Sequence, residues 1–171
     1  MKYTPLPSQE RLQELFEYSV VTGQVFWKKA PHPKAMKCKP GKPVGHLRHG
    51  HLSVELDGKS YQLHRLIWRL VTGEDPGNLM IDHKDLDKAH NAWHNLRKAE
   101  PHENNSNCKG RPTAKCALKG VHPISSSSRY HAAISHKGKQ VYLGSFDTPE
   151  QAHAAYCKAA AELHGEFARI Q

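Results

Sequence analysis

The pattern of hydrophobic and polar residues in the first thirty positions predicts one helix and one strand. Ser8 is a suitable N-cap, and Leu12, Leu15 and Phe16 share one face of a helical projection. This pattern indicates an amphipathic helix that is broken by the Thr-Gly pair at 22–23. The segment "QVFW" then predicts a short strand, and the proline- and lysine-rich run after it predicts an exposed loop.

From residue 46 onward the hydrophobic period changes to that of β-strands. Leu52, Val54 and Leu56 alternate with polar residues, and the Asp-Gly pair at 57–58 predicts the tight turn of a β-hairpin. The next segment, "HRLIWRLVTG", predicts a helix of two to three turns that ends at Gly73. The chain therefore mixes strands and helices within its first eighty residues.

The middle of the chain predicts a polar segment followed by a linker. The residues "NLMI" predict a short strand, which leads through a polar loop to a short helical segment around "NAWHNLRKA". The basic stretch "CKGRPTAKCALKG" is poor in apolar side chains, which is typical of a linker. We therefore expect a first domain over residues 1–106, a basic linker over 107–116 and a second domain over 117–171.

The last fifty residues predict a small sheet covered by one helix. "RYHAAISHKGKQVYLGSF" predicts two strands joined by a turn at "HKGK". The alanine-rich helix after it has Thr148 as N-cap, Pro149 at its first position and Gly165 at its end. Ala152 and Tyr156 belong to a single apolar stripe, so this helix is expected to pack on the sheet along that stripe.

The charge of the chain indicates a polyanionic partner. Lys and Arg number 25 against 16 Asp and Glu, which gives a net charge of +9. Seven basic and no acidic residues lie between positions 28 and 50, and the same holds between 109 and 142. Two basic blocks favour nucleic acid first and an acidic membrane surface second. Basic loops without a partner are the alternative.

Hydropathy and cysteine usage predict an intracellular protein. No apolar run approaches the roughly 18 residues that span a bilayer, and the start "MKYTPLPSQERL" lacks the hydrophobic segment of a signal peptide. The four cysteines are scattered without a C-x-x-C pair, which favours a reducing compartment and argues against a structural zinc site. We expect no membrane association.

The stretch "IDHKDLDKAHNAWHNL" gathers carboxylates, histidines and asparagines in a basic chain. Phosphodiester hydrolysis needs an activated water and a cation that neutralises charge on the phosphate. Mg²⁺ takes hard oxygen ligands, and a histidine near its free pKa can accept the proton of water at neutral pH. Asp82 and His83 offer these two functions at a strand end. Taken alone, the pair is more typical of a solvated surface.

Several motifs in order around this pair resemble one family of nucleases. "LHRLIW", "DHKD", "HNAWHNL" and "ENNSN" are similar to the HNH endonucleases of phage and intron homing type. The resemblance implies an α+β chain whose N-terminal domain has the ββα-metal (His-Me finger) fold. It implies hydrolysis of duplex DNA with a divalent metal, Mg²⁺ first and Mn²⁺ as the alternative. A phage-encoded member would act in the cytoplasm of a bacterial host.

The resemblance also implies roles for single residues. His83 would be the general base that activates water, and Asp82 would be a metal ligand. Asn95 would hold the loop so that His83 is correctly oriented, and Asn104 would be the second metal ligand through its amide oxygen. Arg65, in the His-Arg pair of "LHRLIW", would contact phosphate, with a packing role as the alternative.

Three departures from the family pattern bear on this assignment. Asn104 stands where many relatives carry histidine, which suits an oxygen-preferring ion rather than zinc. His90 stands where asparagine is frequent, and Leu86 where glycine is common in a turn. A zinc site made of histidines at 90, 94 and 102 is the alternative, although it lacks cysteine partners.

The segment from 117 to 171 resembles the APETALA/ethylene-response-factor class of DNA-binding domain. The matching features are the "GV" start, "LGSFDTPEQAHAAY" and the "HGEFARI" end. The resemblance implies a small three-stranded antiparallel sheet that enters the major groove, with one α-helix packed behind it. The residues expected to face DNA are Lys119, His122, Arg129, Tyr130, Lys137, Lys139 and Tyr142. Ala133 and Ser135 stand where plant relatives have charged residues, so the plant target sequence does not carry over.

Two functions remain in view from the sequence. The first is a metal-dependent DNA endonuclease with a C-terminal DNA-binding domain, and the second is a DNA-binding or regulatory protein whose nuclease half has decayed. The presence of Asp82, His83, Asn95 and Asn104 favours the first, because decay would be expected to remove such residues early. The number of chains in the active form, one or two, stays open.

Overall fold

The computed structural model describes residues 4–35, 37–100 and 118–168. The chain divides into two compact units, Met1–Ala99 and Glu100–Gln171. The predicted linker at 107–116 lies outside the described residues, so the predicted domain boundaries stay predictions. In the part of the chain that is described, no helix is both long enough and apolar enough to cross a membrane.

Both units contain helices and strands, which agrees with the predicted α+β composition. The first unit contains α1 (Gln9–Leu15), β1 (Phe16–Tyr18), β2 (Val25–Trp27), β3 (His46–Arg48), β4 (His51–Leu56), β5 (Lys59–Gln62), α2 (Leu63–Thr72), β6 (Met80–His83) and β7 (Leu96–Ala99). The second unit contains β8 (Val121–Pro123), β9 (Tyr130–His136), β10 (Lys139–Phe146) and α3 (Pro149–His164).

The N-terminal helix is shorter than the sequence predicts. The Ser8 hydroxyl accepts a hydrogen bond from the Arg11 backbone N–H at 3.3 Å, so the predicted N-cap is confirmed. The prediction is wrong beyond Leu15, because the chain continues as β1 and pairs with β2. The Phe16 and Trp27 rings, opposite each other in this pair, have centroids 4.9 Å apart. This cross-strand contact outweighs the helical pattern of the sequence.

The central sheet and the helix after it follow the predicted pattern. β3, β4 and β5 form an antiparallel sheet, and Asp57 and Gly58 both have positive φ, as in the tight turns favoured by hairpins. Helix α2 begins directly after β5 and ends at Gly73, whose φ of 74° is left-handed. Buried side chains of α2 and of β4, among them Leu63, Ile67 and Leu56, belong to one hydrophobic core.

Strands β6 and β7 form a two-stranded antiparallel hairpin that carries the motif of interest. Only a three-residue 3₁₀-helix, Trp93–Asn95, forms where the sequence predicts a helical segment. The residues that follow it form strand β7. This strand pairs with β6, and His83 lies opposite Leu96. The helical prediction is therefore wrong beyond Asn95, since the backbone groups of this segment are satisfied by a strand that lies far away in sequence.

The second unit consists of an antiparallel sheet in the order β10–β9–β8 and a helix on one of its faces. Thr148 caps α3 by accepting from the Gln151 backbone N–H at 3.3 Å, and Pro149 is the first helical residue. Buried apolar side chains join the helix to the sheet, and they are Val121, Ala132, Ile134, Ala152, Tyr156 and Ala160. Gly120 lies against the Tyr156 ring so closely that any Cβ there would collide with it.

Candidate active site

Asp82 and His83 lie at the end of β6 and are both buried, with 6% and 3% of their surface exposed. Arg97 lies directly opposite Asp82 in β7 and is itself 8% exposed. The Nε and Nη2 groups of Arg97 donate to Oδ2 of Asp82 at 3.0 and 2.9 Å. The buried carboxylate is thus compensated by a buried guanidinium. Sequence reasoning missed Arg97, because only strand register brings it to Asp82.

The imidazole of His83 has a fixed partner in Asn91. The two atoms Nε2 of His83 and Oδ1 of Asn91 are 2.9 Å apart, and Asn91 is 1% exposed. Because a carbonyl oxygen accepts, the Nε2–H group donates, and the lone pair of the neutral ring lies on Nδ1. Sequence reasoning missed Asn91 as well, since its type and position do not distinguish it from other loop asparagines.

The turn between β1 and β2 supports the segment that contains Asn91. The Tyr18 hydroxyl donates to the backbone carbonyl of Asn91 at 2.9 Å. The Trp93 backbone N–H donates to the backbone carbonyl of Val20 at 3.0 Å. Gly23, with a φ of 74°, lies against the backbone of residues 91–92, and any Cβ there would collide with it. The N-terminal hairpin therefore fixes the position of the group that orients His83.

Asn95 holds the loop between β6 and β7 in one conformation. Its Oδ1 accepts from the Asp85 backbone N–H at 3.1 Å, and its Nδ2 donates to Asp85 Oδ1 at 2.9 Å and to the His90 carbonyl at 2.8 Å. The His90 ring also bonds to Asp85 Oδ2 at 2.6 Å. Partial burial opposes ionisation of Asp85, but the bonds from His90, from Asn95 and from the Asp87 backbone outweigh it and lower the pKa of Asp85.

Leu86 has the backbone conformation that glycine favours. Its φ is 67°, and its N–H donates to the His83 carbonyl at 3.0 Å. This is the turn position where the family pattern has glycine. A branched side chain in the left-handed region costs about 1–2 kcal/mol. The turn after His83 is therefore locally strained, and the hydrogen bonds of Asn95 offset this strain.

Three histidines from separate elements meet beside the motif. His51 begins β4, His64 lies on α2 and His83 ends β6. The His64 ring centroid is 5.0 Å from that of His51 and 5.1 Å from that of His83. Burial, the neighbouring imidazoles and Arg65 hold the pKa of His64 well below its ordinary value, and burial with the charge of Lys88 lowers the pKa of His51. The sequence gives no sign of this cluster, which depends on tertiary packing.

Of the two expected ligands of a divalent metal, Asp82 lies among the described residues. Asp82 offers the carboxylate oxygen that Mg²⁺ takes, and two bonds from Arg97 do not by themselves use up its acceptor capacity. Asn104, the second expected ligand, lies outside the described residues, as does His102 of the zinc alternative. The His90 and His94 rings lie 5.7 Å apart, and the His90 ring is bonded to Asp85.

Arg65 is used within the fold, which supports the packing alternative. Its Nη1 and Nη2 groups donate to the carbonyls of Leu79 and Gly77 at 2.8 and 2.7 Å. These bonds hold the chain that enters β6. An open groove of about 580 Å³ runs alongside, and its lining includes Arg65, Arg48 and His51. The groove brings cationic side chains next to the histidine cluster.

In the second unit, the sheet face away from α3 carries part of the predicted DNA-binding set. His122 stacks on His131, which lies opposite it in β9, with ring centroids 5.0 Å apart. Tyr142, 64% exposed, lies 6.2 Å from His131 by ring centroid. We call this the open face and define it by His122, His131, Ser135, Gln140 and Tyr142. His131 was missed from the sequence, although the alternation along β9 places it there.

Other predicted DNA-binding residues lie elsewhere. Tyr130 packs against the apolar cluster that includes Ala132, so it belongs to the helix side of the sheet. Lys139 lies opposite His136, two residues along the strand from Ile134, which is also on the helix side. The strand pleat therefore points both away from the open face, and their contact with DNA stays a prediction.

The remaining cations of the predicted set lie just before strands or in the turn between two strands. Arg129 forms an ion pair with Asp147 at 2.9 Å and also donates to the Ser145 carbonyl at 3.1 Å. Lys137 lies in the turn between β9 and β10, with a φ of 48°. Lys119 precedes β8, and its carbonyl lies 3.0 Å from the ring Nδ1 of His153 on α3.

Comparisons with known proteins agree with the motif. Residues 61–106 match a family model described as HNH endonuclease. An uncharacterized HNH endonuclease of Acanthamoeba polyphaga mimivirus is 38% identical over 116 residues, which are 67% of this chain and 59% of that protein. A solved structure concerning DNA binding and cleavage by the HNH homing endonuclease I-HmuI is 21% identical with a TM-score of 0.43, over 100% of this chain and 93% of that one. By sequence, residues 61–106 are thus similar to the HNH endonuclease family.

Proposed function

We propose that this chain is a metal-dependent HNH DNA endonuclease, similar to homing endonucleases, that hydrolyses phosphodiester bonds in duplex DNA. The observation that carries the proposal is the oriented His83. Its imidazole is buried, its Nε2–H is bonded to Asn91 at 2.9 Å, and it directly follows the buried carboxylate of Asp82. A histidine fixed in this manner has the properties of a general base rather than of a solvated surface residue.

His83 would act through Nδ1. With Nε2–H donated to Asn91, the Nδ1 lone pair accepts a proton from water while the water oxygen forms its bond to phosphorus and the bond from phosphorus to the leaving oxygen breaks. The side-chain Oδ1 of Asn91 then stabilises the imidazolium that results. Asn95 keeps the loop closed over this pair through its bonds to Asp85 and His90.

Asp82 would hold the divalent cation, with Asn104 as the second proposed ligand and Mg²⁺ or Mn²⁺ as the ion. When bound, the cation supplies neutralisation of the charge on the phosphate and on the leaving oxygen. The chain's own contribution is to keep the Asp82 carboxylate in place, which the two hydrogen bonds from Arg97 do. The basic groove lined by Arg48 and Arg65 would lie along the phosphate backbone of the DNA.

The first expected result is metal-dependent nicking of supercoiled plasmid. The purified chain should convert supercoiled DNA to the open-circular or linear form with Mg²⁺ or Mn²⁺, and excess EDTA should stop the conversion. Gel analysis over time measures the rate, and the ratio of open-circular to linear product distinguishes nicking from double-strand cleavage. Conversion at the same rate in EDTA would contradict the proposed mechanism.

The second unit would bind DNA through its open face, as the resemblance to ethylene-response-factor domains implies. His122, His131 and Tyr142 form an aromatic row there, and β-sheets are a known means of reading a DNA groove. Tyr142 also bonds to the Ser145 hydroxyl at 2.6 Å, so its ring has a defined orientation. Aromatic and imidazole groups of this kind can contact phosphate and base edges.

A new negative charge on the open face should weaken DNA binding. Ser135 is exposed on that face, so Ser135→Glu would bring a carboxylate near phosphate and should raise the Kd for duplex DNA about tenfold or more. Ala154→Glu is the matched control, since it adds the same charge at an exposed position of α3. Fluorescence anisotropy at fixed salt measures both variants. Equal losses of affinity would show that net charge, and not the open face, governs binding.

A decayed nuclease that only binds DNA is the second candidate. The observation that favours it is the ion pair between Arg97 and Asp82, which gives the carboxylate a purely structural partner. This candidate predicts salt-dependent DNA binding with no conversion of plasmid at any concentration of Mg²⁺ or Mn²⁺. The plasmid experiment therefore separates the two functions.

A further inference from the structure

We infer that His51, His64 and His83 form a binding site for a divalent transition metal of the Zn²⁺ class, separate from the proposed Asp82 site. One ring nitrogen from each of the three side chains lies within 4.8 Å of the others. Of the three, His64 and His83 are buried and His51 is half-buried. In the described part of the chain, this is the group of histidine, cysteine and acidic side chains whose donor atoms converge in this way.

The hydrogen bonding of the cluster is compatible with metal coordination by its ring nitrogens. The Nδ1 atoms of both His51 and His64 are buried without a hydrogen-bond partner. A buried polar atom without a partner costs about 1–3 kcal/mol, so such atoms call for an explanation. A metal ion bound by a ring nitrogen of each histidine would provide it. His83 has its Nε2–H bonded to Asn91, which is the outer contact that typically orients a metal-binding imidazole.

The chemistry of three imidazoles selects the ion. Neutral imidazole suits Zn²⁺, Ni²⁺ and Co²⁺, whereas Mg²⁺ takes oxygen ligands. Three protein ligands with a water in the fourth position form a tetrahedral zinc site, in which the ligand atoms lie about 3.4 Å apart. The three rings must therefore move closer together on binding, and half-buried His51 at the start of its strand is the one best placed to move. The positive charge of Lys88, which is close enough to lower the pKa of His51, works against the binding of a cation.

The site has a consequence for activity that rests on the proposed function. A Zn²⁺ ion on His83 occupies the lone pair that the proposed general base needs. Zn²⁺ bound to this cluster would therefore inhibit cleavage that depends on Mg²⁺, without competing for Asp82. The inhibition would come from loss of the base rather than from displacement of the other ion.

Metal binding is tested first, without reference to activity. Isothermal titration of the EDTA-treated, dialysed full chain with Zn²⁺ should show one more strong site in the wild type than in His51→Ala. The affinity at that site should fall about tenfold or more in the variant. His46→Ala is the matched control, because it removes an exposed histidine from the neighbouring strand. His51 is chosen for substitution because replacing the buried His64 would disturb folding more. Identical titrations of wild type and His51→Ala would overturn the site.

Inhibition is tested second, in the plasmid assay at fixed Mg²⁺ with increasing Zn²⁺. The concentration of Zn²⁺ that halves the rate should be at least about tenfold higher for His51→Ala than for wild type and for His46→Ala. Each protein is compared with its own rate without Zn²⁺, so a change in basal activity does not enter. Equal sensitivity of all three would refute inhibition through this cluster. If no protein cuts DNA, the proposed function fails, while the titration still decides the metal site.

Discussion

Replacing His83 with alanine is expected to lower the rate of plasmid cleavage by about 10²–10⁴-fold, the usual contribution of a general base. The loss follows because His83 supplies the proposed base, whose ring is oriented by Asn91 beside the loop that Asn95 holds. The affinity for duplex DNA should change little, since His83 is 3% exposed. Single-turnover cleavage and anisotropy, measured on the same preparation, separate the two quantities.

The matched control for this substitution is His94→Ala. His94 belongs to the same motif but is exposed, and its side chain has no part in the proposed chemistry. Its cleavage rate should stay within about threefold of the wild-type rate. Surface substitutions of this kind usually change the free energy of unfolding by less than about 0.5 kcal/mol. A His83→Ala protein that binds DNA and cuts at the wild-type rate would remove His83 from the mechanism.

Local chemistry explains which parts of the fold the sequence predicts well. Ser8, the Asp-Gly turn at 57–58 and the Thr148-Pro149 start of α3 act through neighbours in the chain, so the sequence alone reveals them. Strand β7 could not be predicted in this way. Its backbone bonds go to β6 across a polar loop, and the residues of β7 themselves have no strong strand pattern.

The residues of the candidate site also divide into those that the sequence reveals and those that depend on the fold. Asp82, His83 and Asn95 could be selected from the sequence because a family motif marks them. Arg97 and Asn91 could not, since each acquires its importance from a single contact that the fold creates. His51 and His64 reach His83 from two other elements, and no spacing in the sequence encodes that meeting. Similarly, alternation along β9 groups His131 with Ser135, but only the pairing register brings His122 and Tyr142 to the same face.

The second large effect concerns the ion pair between Asp82 and Arg97. Asp82→Val alone should lower the free energy of unfolding by about 3–5 kcal/mol, because it removes the carboxylate that compensates the buried guanidinium of Arg97. The double variant Asp82→Val with Arg97→Met replaces both charges by apolar groups and should recover most of that stability. Urea unfolding followed by circular dichroism measures the three free energies.

The activity of the double variant decides what Asp82 does. If the carboxylate serves only as the partner of Arg97, the refolded double variant should cut DNA normally. If Asp82 holds the catalytic cation, the double variant should be stable and inactive. Arg97→Met adds a test without DNA, since Mg²⁺ bound to the Asp82 carboxylate should replace the lost guanidinium charge and raise the melting temperature of this variant by linkage. Mg²⁺ should have no such effect on the double variant, in which no carboxylate remains at position 82 to bind it.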